Sequence, residues 1–131
     1  MVKKPPMVIA ALAVVAIMAA GCKGATDPDP AVQRQKSVLT EIFELYQDYT
    51  KRNQQQPPKQ LSDLKQLKQI YPVGYEALQK GDYVVVWGVA GKDPGTILAY
   101  EKNAAEQGGP VIMADGAYKT MTADEFKAAK H

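Results

Sequence analysis

The sequence is poor in the residues that most enzymes rely on. Of 131 residues one is cysteine, Cys22, so an internal disulfide is excluded and that thiol must be reactive, intermolecular or modified. One is histidine, His131, at the last position, where a frayed end makes a poor general base. Ser37 and Ser62 stand in no motif with a basic partner, so nucleophilic catalysis has no visible triad. Charge of one sign is also lacking. The whole chain is +2, and Lys3 and Lys4 account for the excess, while no basic stretch is interleaved with aromatics, so nucleic acid is not an expected partner. No apolar run reaches the roughly 20 residues that span a bilayer as a helix.

One shorter run is present. After Lys3 and Lys4, Met7 to Ala20 is continuously apolar for about fourteen residues, the length of a signal-peptide core. It ends in Ala19-Ala20-Gly21-Cys22. This stretch resembles the lipobox of bacterial lipoproteins, with Ala19 where that pattern prefers leucine. The resemblance implies cleavage between Gly21 and Cys22, a diacylglyceryl thioether on Cys22, and a mature chain held in the membrane by lipid, since two or more acyl chains anchor stably. The alternative is a secreted protein cut near Ala20 with Cys22 as a leftover thiol. Lys23, rather than aspartate, follows the cysteine, and by the same resemblance this favours the outer membrane, facing the periplasm, in a two-membrane cell envelope. The reading divides the chain into a signal at 1–21, a lipidated cysteine and tether at 22–30, and one domain at 31–131, too small for two cores.

The tether, KGATDPDP, contains no large apolar residue. Asp27 and Asp29 are separated by proline and no glycine-containing loop of regularly spaced carboxylates follows, so calcium is not expected there. Asp29-Pro30 instead opens a helix, Asp29 as N-cap and Pro30 in the first turn. From Ala31 to about Arg52, Val32, Leu39, Ile42, Phe43, Tyr46 and Tyr49 recur at three- and four-residue spacing, predicting one long amphipathic helix. Asn53 to Gln60, NQQQPPKQ, is polar and ends that helix, since the residue before a proline is pushed out of the α region. Leu61 to Ile70 predicts a second helix with Ser62 as N-cap and Leu64, Leu67 and Ile70 on one face, and YEALQKG predicts one or two turns closed by Gly81.

Asp82 onward is strand-like. Tyr83 to Trp87 is β-branched and aromatic on both faces, predicting a central strand and the middle of the core. Thr96 to Tyr100 predicts its antiparallel neighbour. Gly91-Lys92 lacks the spaced glycine and the following Ser or Thr of a phosphate loop. Val111-Ile112-Met113 and Ala117 to Thr120 flank Asp115-Gly116, a hairpin signal. Thr122 and Glu125 form a capping box that starts a terminal helix near Ala123. The expected fold is α+β: a long N-terminal amphipathic helix packed on a small antiparallel β-sheet, with short helices in the middle and at the C-terminus.

From about Ala31 to Phe126 the chain resembles type II secretion pseudopilins and related pseudopilin-like exported proteins, through its long helix, the PPKQLSDL middle, and the apolar strand followed by ADG and MT. The prepilin-type N-terminus is replaced by the lipobox, and Ala105 stands where one branch has histidine, ten residues before Asp115. The resemblance implies a non-enzymatic structural or protein-binding role, with an envelope or secretion protein as partner and an apolar or aromatic patch, including Tyr71 and Tyr75, left uncovered. The second expectation is a calcium- or small-ligand module. Asp93, Glu101 and Asp115, with Asp82, would converge from the sheet loops, as some major pseudopilins hold calcium in theirs; otherwise these carboxylates merely occupy strand ends and turns.

Overall fold

The computed structural model describes residues 29–129 and 131. Helix α1 spans Pro30–Arg52, 23 residues, with the Asp29 side chain accepting from the Ala31 amide and proline in the first turn. At about 1.5 Å per residue it is roughly 34 Å long, and its core face is Val38, Leu39, Ile42, Leu45, Tyr46 and Thr50. Val32 does not join that face and is 44% exposed. Phe43 and Tyr49 pack on the border of the core. Lys51 and Arg52 occupy the last turn, where the helix dipole favours cations.

The predicted second helix is a 3-10 helix, Leu61–Leu67, preceded by Gln60 and not capped by Ser62. The leucine spacing explains it. Leu61, Leu64 and Leu67 are three apart, and at three residues per turn they align on one side, with Leu64 and Leu67 buried. Ile70, expected on the same face, is 54% exposed instead. Helix α2, Pro72–Lys80, ends as expected at Gly81.

The sheet is an antiparallel meander of β1 (Tyr83–Val85), β2 (Ile97–Glu101), β3 (Gly109–Met113) and β4 (Tyr118–Met121), in spatial order β1-β2-β3-β4. The expected central strand is therefore an edge. Only Val85 of β1 is buried; Tyr83 and Trp87 are half-buried, and Trp87 lies beyond the strand, where the Gly88 amide donates to Pro58 O. A run apolar on both faces marks burial, not sheet position, and here α2 and the 3-10 segment supply cover that a neighbouring strand would otherwise give.

The sheet's middle is β2 and β3. Ile97, Leu98, Ala99, Val111, Ile112 and Met113 are at most 2% exposed. A register shift between Ile97 and Ala99 redistributes these side chains over two apolar layers. Leu98, Ala99 and Ile112 join the layer formed with α1, α2 and the 3-10 helix. On the other layer Ile97, Val111 and Met113 pack with Ala104 and Phe126 from two short helices, α3 (Ala104–Gln107) and α4 (Ala123–Ala128). α3 occupies a connection to which the sequence pattern assigns no element. Tyr100 meets Phe126 edge to face at 4.7 Å.

The last hairpin closes on Asp115-Gly116. The Gly116 amide donates to Met113 O at 2.9 Å, Met113 donates to Ala117 O at 2.9 Å, and Gly116 has φ +94°. The capping box follows, Thr122 Oγ1 accepting from the Glu125 amide and Glu125 Oε2 from the Thr122 amide.

Candidate functional site

The side chains of Phe43, Glu44, Gln47, Asp48 and Lys51 lie three and four residues apart, so α1 lines them up on one flank. Tyr71, just ahead of α2, and Lys92, from the β1–β2 loop, face that flank and close a cleft of about 280 Å³. Its floor is aromatic. The Phe43 ring lies 3.1 Å from where a Cβ on Gly116 would sit, so the last hairpin and α1 meet directly behind it.

The charged centre is Asp48. Its Oδ1 accepts from Arg52 Nε at 2.7 Å, one helical turn away, and Oδ2 accepts from the Tyr71 hydroxyl at 3.3 Å. The Arg52 hydrogen bond holds the Asp48 carboxyl below its ordinary range. Burial, reinforced by the Asp48 charge, raises the Tyr71 phenol. The two shifts make the carboxylate a weaker proton acceptor and the phenol a weaker proton donor. Lys51, Lys92, the Gln47 amide and the Glu44 carboxylate complete the lining.

The carboxylates singled out in the sequence do not gather. Asp93 Oδ1 accepts from the Gly95 amide at 2.9 Å and Oδ2 from Thr96 Oγ1 at 3.0 Å, shaping the turn into β2. Asp115 Oδ1 accepts from the Ala117 amide at 3.0 Å. Glu101 ends β2 and accepts from Gln35 Nε2 at 2.9 Å, on α1. Ile97 pairs with Met113, so Asp93 and Asp115 lie toward one end of β2 and Glu101 at the other, about 13 Å along the strand. Asp82 pairs with Lys102 at 3.7 Å. Among the described residues no group of three or more His, Cys, Asp or Glu is placed to hold a metal.

The expected aromatic patch is also corrected. Tyr75 is 6% exposed, inside the α1–α2 contact, with Lys68 Nζ 5.6 Å from its ring centroid; Tyr71 is the wall of the cleft. The large apolar residues that do stand out are Val32, Ile70 and Val73. Gly21 and Cys22 lie outside the described residues. His131 packs its ring 4.7 Å from that of Phe126. No local sequence pattern points to the Asp48–Tyr71–Lys92 cleft. The i,i+4 spacing of Asp48 and Arg52 was a visible signal, but only tertiary folding brings Tyr71 and Lys92 across from them. Compared with family models, curated proteins and solved structures, the chain matches none.

Proposed function

We propose that this chain is a lipoprotein of the bacterial cell envelope, anchored through lipid on Cys22, whose pseudopilin-like domain has a non-enzymatic structural or protein-binding role. One observation carries the reading: a basic start, an apolar run of signal-peptide length, and Ala19-Ala20-Gly21-Cys22 at its end. The position of the folded domain agrees with an anchored chain. Helix α1 is capped at Asp29, so residues 23–28 alone separate Cys22 from the fold. Extended at about 3.3 Å per residue, they hold the domain within roughly 20 Å of the bilayer. Lys23 points to the outer membrane, facing the periplasm. Among the described residues no helix is long and apolar enough to cross a membrane, so attachment falls to the lipid in this reading.

The pseudopilin likeness rests on a long helix laid across an antiparallel meander and on the ADG hairpin leading into a short helix. The role as a binding or structural module is supported by Asp48 and Tyr71, whose shifts disfavour proton transfer between them in the α1 cleft. The calcium alternative has lost its geometric basis, since Glu101 stands apart from Asp93 and Asp115. The test is incorporation of a labelled fatty acid by cells expressing wild type or Cys22→Ser. Wild type takes up label and partitions with membranes; equal labelling of the two proteins refutes the anchor.

A further inference from the structure

We propose that the outer edge of β1 is a docking groove for an extended segment of a partner protein, which adds to the sheet as a further strand. This deepens the protein-binding reading by naming the surface and the form of the partner, and it does not depend on the lipid anchor. The ladder supplies the first observation. The Val86 amide donates to Leu98 O at 2.8 Å and the Lys102 amide to Asp82 O at 3.1 Å, so Asp82, Val84 and Val86 are the residues that bond across to β2. Tyr83 and Val85 alternate with them. Their amides and carbonyls therefore turn away from β2, and these groups have no hydrogen-bond partner among the described residues.

Beside that edge runs a groove of about 420 Å³. Its walls are apolar, Leu61 from the 3-10 helix, Leu78 from α2 and Trp87 from beyond β1, and its one charge is Lys59. The chain pairs with this edge once and then leaves it. The Gly88 amide donates to Pro58 O at 3.0 Å past the end of β1, and from Gln60 the backbone enters the 3-10 helix instead of continuing alongside the strand. Val85 is 4% exposed, so its outward amide and carbonyl belong to the groove rather than to open solvent. Buried backbone groups call for partners, and an extended backbone brings both kinds at the strand's own spacing.

The lining also selects the occupant. β1 presents three residues, roughly 10 Å of edge, so the added strand is short. In an antiparallel pairing the residues opposite Tyr83 and Val85 bond to them and share their face, which is the face of Leu61 and Leu78, so these residues are aliphatic. Lys59 follows the Pro58–Gly88 bond at the C-terminal end of β1 and makes no ion pair among the described residues. A carboxylate near the N-terminus of the segment complements it. A second copy is the poorer fit. Its own β1 is recessed between the same walls, and its β4, the other edge of the sheet, carries exposed Lys119, of the same sign as Lys59.

The experiment measures anisotropy of a hexapeptide of alternating valine and threonine, preceded by one glutamate and labelled with fluorescein at its C-terminal end, titrated with the full chain in detergent micelles. Wild type binds. Methylation of the valine amides weakens binding at least about tenfold, because those amides face β1, and methylation of the threonine amides changes it less than about twofold. Lys59→Glu weakens binding about fivefold, and a peptide with lysine in place of the glutamate restores it, which a misfolded variant could not do. Amide exchange at Tyr83 and Val85 slows when peptide is present, while that of Val84, which bonds across to β2, is unchanged. The proposal is overturned by absence of binding, by equal losses from the two methylated peptides, or by light scattering that finds a dimer which the peptide dissociates, since a second copy then holds the edge. Acyl labelling separates the two readings: loss of label sinks the anchor alone, and loss of peptide binding sinks the groove alone.

Discussion

Tyr46 is the side chain with the most at stake inside this domain. It is 1% exposed, its hydroxyl donates to Val89 O at 2.8 Å, and burial pushes its phenol up to about 12. The folded protein thus keeps a proton that the unfolded chain releases near pH 10, so stability contributed by Tyr46 is complete below pH 10 and drains away as pH rises toward 12. Denaturant unfolding across that range should show a loss of roughly 1–2 kcal/mol that Tyr46→Phe flattens, at a cost of about 1 kcal/mol at neutral pH for the lost hydrogen bond. Gly108 is constrained differently. With φ +73°, and a Cβ that would fall 2.6 Å from Met121 O, it admits no other residue without backbone movement. Gly108→Ala should lower stability by about 2–4 kcal/mol in a chemical melt, combining left-handed strain with the clash. Neither position announces itself in sequence: Tyr46 is legible as a core residue, but its partner Val89 sits 43 residues away.

At the scale of elements, legibility follows range. The last hairpin and α4 are written in contiguous residues, so Asp115-Gly116 and Thr122-Glu125 produce the expected turn and capping box. Thr122→Ala should cost about 1 kcal/mol, seen as a lower melting temperature, and increase protease sensitivity near Phe126. Leucines three apart satisfy both periods over a short stretch, so the spacing predicts a longer α-helix where a 3-10 helix forms. The composition of Tyr83–Trp87 reports cover and so predicts a central strand, but the cover comes from helices and β1 is an edge. The α1–Tyr71 contact is a case where no local pattern exists. Asp48 and Tyr71 are 23 residues apart and meet through packing. Asp48→Asn should bring the Tyr71 phenol back toward its ordinary range, a change visible by ultraviolet titration; an unmoved titration would show that burial alone raises it.

For the molecule as a whole, residues 29–131 are neutral in sum, thirteen Lys and Arg against thirteen Asp and Glu. Fractionation should find wild type with membranes and Cys22→Ser in the soluble envelope fraction, while both show the same melting temperature, because the described fold begins at Asp29. A Cys22→Ser protein that stays with membranes after a carbonate wash would break the link between lipid and location.

The sequence by itself determined what depends on neighbours along the chain: the amphipathic period of α1, the proline and glycine stops, the Asp-Gly hairpin and the capped last helix. These are set by dihedral preferences and hydrogen bonds spanning a few residues, and together they were enough for the α+β class. Only the tertiary structure decided that β2 and β3 are the middle, that Tyr75 is inside, that Glu101 stands apart from Asp93 and Asp115, and that Tyr71 and Lys92 close a cleft on α1. Those outcomes depend on which distant apolar faces cover one another, and burial is a property of the assembled surfaces, carried by no single segment.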